Sequence, residues 1–266
     1  MAKDGAFGQA VHAVTYGAGE RRGVALHCSL AHAGAWKAMA AELDEPLSLT
    51  AFDLPGHGKS ADWNGAGDYT HLCAQIAAGF MDEPVDLIGH SGGAVAALQI
   101  ALAMPEMVRT LTLIEPVLFA AAKGLPEWDM HRAVMTPYRA ALLAGDRMAA
   151  AEIFTGLWGT GTPWNQLEDR ARTYMADRIH LIEAGMPALT DDNFGILEEG
   201  RLEILDLPVM IIIGTESPPV IPAIAEVIAG RLPDVGLAEV PGAGHLLTVT
   251  HPVQLAGLLD VNLGRD

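Results

Sequence analysis

The stretch Val85-Asp-Leu-Ile-Gly-His-Ser-Gly-Gly-Ala94 constrains this chain more than any other. An apolar run ends in Gly-His-Ser-Gly-Gly, and an Ala/Val/Leu run then continues to Met104. That pattern is a strand, a sharp turn and a helix, with Gly-x-Ser-x-Gly at the turn. A serine on so tight a turn must adopt strained backbone geometry, so its neighbours must be small. Its hydroxyl then projects above the sheet, and the next N–H can face a developing oxyanion. The helix that starts there adds the positive end of its dipole. Glycine and serine are common, however, and an ordinary strand-to-helix turn would account for five such residues. A base and an acid must be found elsewhere in the chain.

The neighbouring segments repeat the strand–helix rhythm. Residues 9–17 alternate like an edge strand. Gly23 to Ser29, Leu47 to Phe52 and Val108 to Ile114 are short apolar runs without useful alternation, as expected of strands buried on both faces. Helical spacing runs from Ala33 to Leu43, and Asp68 is placed to cap a helix reaching about Phe80. Alternating strands and helices predict a parallel sheet with its ligand site beyond the strand carboxyl ends. From Leu118 to Leu207 no strand is evident. Helical patterns over Met135–Ala144, Asp146–Trp158 and Trp164–Leu181 predict a helical insertion there. Trp158, Trp164 and Met175 are each read as packing that insertion on itself. The α/β rhythm returns with a strand ending at Gly214, a helix from Ile221 to Leu232, a strand over Gly236–Val240 and a last helix from Pro252 to Leu263.

Composition narrows the function classes. Of 266 residues, 50% are hydrophobic, enough for a sizeable core. No apolar run approaches the roughly 18–20 residues of a membrane span, and the first residues lack a signal-peptide core. A soluble, cytoplasmic protein is expected. Cys28 and Cys73 offer neither a disulfide framework nor metal-ligand spacing. The net charge of −17 argues against nucleic acid and anionic membranes as partners. It also disfavours a highly anionic substrate. No dinucleotide, phosphate-loop or metal motif is present, so no cofactor and no metal are expected.

Several motifs occur together in order: His27-Cys-Ser, Asp53-x-Pro-Gly-His-Gly-x-Ser60, Gly-His-Ser91-Gly-Gly and Pro-Gly-Ala-Gly-His245. In this the chain resembles the α/β-hydrolase superfamily over nearly all of its length outside the insertion. The resemblance implies an α/β fold with an eight-stranded, mostly parallel sheet flanked by helices, and the nucleophile after strand five. It divides the chain into a core of residues 1–117 and 205–266 and a helical cap of residues 118–204.

Ser91 is the expected nucleophile. A serine hydroxyl needs an adjacent base, and His245, in a Gly-rich loop after the last strand, matches the late histidine of the superfamily. His90 is read as pointing away and packing, His57 as structural, and His27 as bracing backbone. His12, His32, His71, His131 and His180 lie in no motif and are read as surface or packing residues. The base needs a carboxylate to fix its tautomer. Most relatives carry an aspartate three residues after the glycine ending strand seven, where this chain has Ser217. Glu115, at the end of strand six, is preferred, because a subgroup of the superfamily places its acid there. Glu216 is the alternative.

The expected oxyanion donors are the backbone N–H groups of Gly92 and Ser29, with Cys28 standing where relatives have glycine. The resulting expectation is a serine hydrolase cleaving a small, fairly apolar carboxylic ester through an acyl-enzyme. Alternatives are a lactonase, a carbon–carbon hydrolase of the meta-cleavage-product type, and a ligand-binding homologue without turnover. A small-molecule ester or related acyl compound is the expected partner, and a homodimer is left open.

Overall fold

The computed structural model of the chain describes residues 2–4 and 10–265. Eight strands lie in the order β1-β2-β4-β3-β5-β6-β7-β8: β1 (Ala2–Asp4), β2 (Ala10–Tyr16), β3 (Arg21–Leu26), β4 (Leu47–Phe52), β5 (Val85–His90), β6 (Val108–Ile114), β7 (Val209–Gly214) and β8 (Val235–Val240). From β3 to β8 every pairing is parallel, while β2 runs antiparallel to β4. The seven strands β2 to β8 are the main sheet. The three-residue β1 pairs only with β2 at its edge, so the expected eight strands are seven plus a short edge piece.

The helices follow in chain order: α1 (Lys37–Ala41), α2 (Tyr69–Ala78), α3 (Gly92–Ala103), α4 (Pro126–Val134), α5 (Thr136–Leu143), α6 (Arg147–Trp158), α7 (Asp169–Arg178), α8 (His180–Thr190), α9 (Val220–Ala229), α10 (Leu247–Thr250) and α11 (Pro252–Leu263). Helices α4 to α8 all fall between β6 and β7. The helix expected from Ala33 to Leu43 is divided: Ala33–Trp36 forms a 3-10 turn, with His32 Nδ1 accepting from Gly34 N, before the short α1. Asp68 caps α2 by accepting from His71 N, as its position predicts. No helix among the described residues is long and apolar enough to cross a membrane.

Helices on both faces explain why the central strands show no polar alternation. All six residues of β5 and of β7 are buried. Successive side chains enter opposite layers. Leu26, Leu87, Leu113 and Ile211 pack with α2, α3 and α9, whereas Ala25, Ile88, Ile114 and Ile212 pack with Trp36, Met39, Leu255 and Leu259 on the other face.

One charge interrupts this apolar centre. Asp86, fully buried in β5, accepts from Arg21 Nε at 2.6 Å, Arg109 Nη1 at 3.1 Å and Thr110 Oγ1 at 2.8 Å. Removing one member of a buried ion cluster leaves the others uncompensated. Asp86→Ala should therefore destabilise the fold by about 3 kcal/mol, read as a lower urea midpoint.

Candidate active site

The strand-to-helix turn after β5 has the strain its sequence implies. Ser91 has φ 59° and ψ −121°. Its flanking glycines are needed for close approach: a Cβ on Gly89 would come within 2.4 Å of Gly93 O, and one on Gly93 within 2.5 Å of Leu26 O. Glycine at 93 thus lets the start of α3 lie against the end of β3. That contact brings the 27–31 loop beside Ser91.

Three side chains from separate strand ends meet there. Ser91 Oγ lies 3.0 Å from His245 Nε2, and His245 Nδ1 lies 2.9 Å from Glu115 Oε2. All three residues are buried. Glu115 sits just past β6 with φ 50°. Its other oxygen, Oε1, accepts from Gly214 N at 2.6 Å, so the carboxylate is held from two sides. Of the two candidate glutamates, Glu115 is the one the fold brings to His245. Glu216 is exposed on the loop after β7, joined to the histidine loop through its backbone N–H to Ala243 O. Ser217, at the superfamily's usual acid position, has a buried Oγ without a hydrogen-bond partner among the described residues.

Gly92 and Ser29, the residues of the expected oxyanion amides, are also neighbours. A Cβ built on Gly92 would be 3.8 Å from Ser29 Oγ, and both residues line the cavity that holds Ser91 and His245. The loop carrying Ser29 is braced by two histidines, as their motifs suggested. His27 Nε2 accepts from Leu54 N at 2.9 Å, and His57 Nε2 accepts from Leu30 N at 3.0 Å. Their Nδ1 atoms face Cys28 O and Pro55 O, which fixes both rings as neutral Nδ1–H tautomers. Burial pushes His27 down to about 4, and burial with the nearby His27 pushes His57 down to about 3. Cys28 is buried and its thiol pushed up to about 12, so it stays protonated and supplies no thiolate.

Two residues read as simple packing do more. His90 Nε2–H donates to the backbone carbonyl of His245 at 2.8 Å, anchoring the loop that carries the imidazole. Trp158, expected to pack the insertion on itself, instead stands edge-on to His245 with ring centres 4.6 Å apart. The end of α6 delivers it there, a long-range placement that helical periodicity does not encode. Trp164 and Met175 do pack within the insertion.

Trp158 and Phe154 both line two spaces above Ser91. One is mostly apolar and includes Leu54, Val117, Phe119 and Leu181. The other lies beside Cys28, Leu30 and Leu246. Tyr174 of α7 ties the insertion to the loops below: its O–H donates to Ala31 O at 3.1 Å and its oxygen accepts from Gly58 N at 2.9 Å.

A mostly parallel sheet with a strained serine turn, a late histidine and a carboxylate at a strand end defines an α/β-type hydrolase. The family model described as "Alpha/beta hydrolase family" matches residues 24–258, and the chain belongs to that family. It is 26% identical over 243 residues, 89% of this chain and 93% of the relative, to a pimeloyl-[acyl-carrier protein] methyl ester esterase from Nitrosomonas europaea. Among solved structures it resembles a thermophilic esterase, with TM-score 0.75 and 20% identity over 100% of this chain and 97% of the other. It also resembles Est816, described as an N-acyl homoserine lactone degrading enzyme, with TM-score 0.71 and 20% identity over 95% and 96% of the two chains. The chain is thus an α/β hydrolase, and the curated relative it resembles is named as an esterase.

The buried neutral histidines make the fold acid-sensitive. His27 and His57 titrate near 6.5 when unfolded and well below that when folded. Between those values the unfolded state binds more protons, so stability falls as pH drops below about 6.5. At pH 5 the loss should reach about 2 kcal/mol per histidine. Urea melts from pH 7.5 to 4.5 should show this slope, and it should flatten in His57→Gln.

Proposed function

We propose that this protein hydrolyses a small, fairly apolar carboxylic ester through an acyl-enzyme on Ser91. The observation that carries the reading is the continuous hydrogen-bonded line from Ser91 Oγ through His245 to Glu115, opening on an apolar chamber. With Glu115 accepting at Nδ1, His245 is held as the Nδ1–H tautomer. Its Nε2 lone pair then faces the serine hydroxyl. His245 takes the Ser91 proton as Oγ attacks the ester carbonyl, and the N–H groups of Gly92 and Ser29 receive the oxyanion. The imidazolium, steadied by the buried Glu115 carboxylate, protonates the departing alcohol. Water, activated by the same imidazole, then releases the acid and restores Ser91.

Residues 118–204 serve in this reading as a cap that shapes the substrate chamber. The space lined by Val117, Phe119 and Leu181 takes the acyl chain, and the one beside Cys28 takes the alcohol. A small alcohol agrees with the relative named as a methyl ester esterase.

Ser91→Ala should abolish hydrolysis of short p-nitrophenyl esters while retaining the native circular dichroism and melting behaviour. Glu115→Gln should lower kcat by about 10³- to 10⁴-fold, and Glu216→Gln should stay within about twofold of the parent, as an exposed residue does. A fluorophosphonate probe should label Ser91 in the parent. Absence of labelling together with ligand binding would make the chain a binding protein instead.

A further inference from the structure

The chamber lined by Leu54, Val117, Phe119 and Leu181 holds a buried imidazole that the proposed chemistry does not use. His131, on α4, lines the chamber together with Ser91 and is 8% exposed. Its Nδ1 is enclosed and has no hydrogen-bond partner among the described residues. The ring is held by aromatic neighbours. It stacks on Phe119, with centres 4.7 Å apart and planes 13° apart, and on Trp128 at 5.8 Å. Its third neighbour is Trp158, at 5.5 Å. Trp158 in turn touches His245 at 4.6 Å, so the width of one indole separates His131 from the proposed base. Tyr138, on the next helix, lines the same chamber. It is 2% exposed, and its O–H has the Glu183 carboxylate within reach as an acceptor.

A buried polar atom without a partner is costly, and native interiors pair nearly all of them. An unpartnered imidazole nitrogen at the wall of a mostly apolar chamber is explained if the missing partner arrives with the substrate. A site built to hydrogen-bond a substrate group also discriminates strongly against analogues lacking it, because its own polar atoms are then left unpaired.

We propose that His131 is a hydrogen-bonding subsite, and that the substrate carries an uncharged oxygen function, a ketone, amide carbonyl or hydroxyl, a few carbons from the scissile ester. This rests on the ester-hydrolase reading and names the substrate class it acts on. An uncharged group is favoured over a carboxylate for two reasons. Burial and the neighbouring Arg139 push His131 down to about 4, so the ring is neutral at neutral pH and offers an anion no charge. Glu183 also lines the chamber, and its carboxylate sets a negative charge against the positive charge of Arg139. The stacked ring of His131 is held in one plane, which preorganises the contact.

The test uses p-nitrophenyl esters of linear acids with a ketone walked one carbon at a time along the chain. Each is compared by kcat/KM with the unsubstituted ester of equal length. The parent protein should prefer the oxo ester by tenfold or more at one position of the ketone. In His131→Phe, which keeps an aromatic ring in the stack, that ratio should fall to within about twofold of unity. Binding is measured separately. Ser91→Ala is titrated with the matching oxo and plain methyl esters, and tryptophan fluorescence reports through Trp128 and Trp158.

A preference in binding without turnover by the parent would uphold the subsite and remove the proposed reaction. Turnover with no preference at any ketone position would overturn the subsite and leave the reaction standing. A preference retained in His131→Phe, or a stronger preference for an ω-carboxylate ester, would also overturn it.

Discussion

The candidate site depends on one carboxylate shared between two strand ends. Glu115 leaves β6 in a left-handed backbone conformation and spans the gap to β7, accepting from Gly214 N with one oxygen and facing His245 with the other. Neighbouring backbone bonds tie the same region together: Ser91 N donates to Ile114 O, and Glu115 N to Ile212 O. The ends of β5, β6 and β7 are therefore locked in register at the level where Ser91 emerges. A carboxylate bound this way cannot rotate to follow the imidazole. The imidazole must come to it, and His90 holds the backbone of His245 where that is possible.

Most of this was legible in the sequence because it is local. Seven strands show as apolar or alternating runs, and the serine turn shows as glycines whose need is steric. The two bracing histidines were visible through their loop motifs. The three-residue β1 escaped because so short an edge strand has no period to detect. Helix α4 escaped because its polar and apolar residues are mixed around a Pro-Glu start. The choice between Glu115 and Glu216 was not decidable from spacing alone. Both precede His245 in the chain, and the difference lies in which strand end faces the histidine loop. Ser217 shows the same limit. Its sequence position is the superfamily's usual one for the acid, yet its hydroxyl is buried without a partner.

The segment between β6 and β7 is helical, and its contacts differ from those its sequence suggests. Trp158 and His131 looked like packing residues because their helical faces give no sign of what lies beneath the insertion. In the fold they form one aromatic array with Phe119 and Trp128 that reaches from the insertion to His245. The wall of the chamber and the surroundings of the proposed base are therefore built from the same side chains.

The hydroxyl of Tyr174 has a consequence for substrate size. It is bonded simultaneously to Ala31 O, in the loop that carries Ser29, and to Gly58 N, in the loop braced by His57. An acyl group large enough to lift α7 would pull on both loops through one oxygen atom, and would disturb the amide expected to receive the oxyanion. Oversized compounds would then still be admitted but turned over slowly, because the enclosure and the reacting centre share a hinge pin.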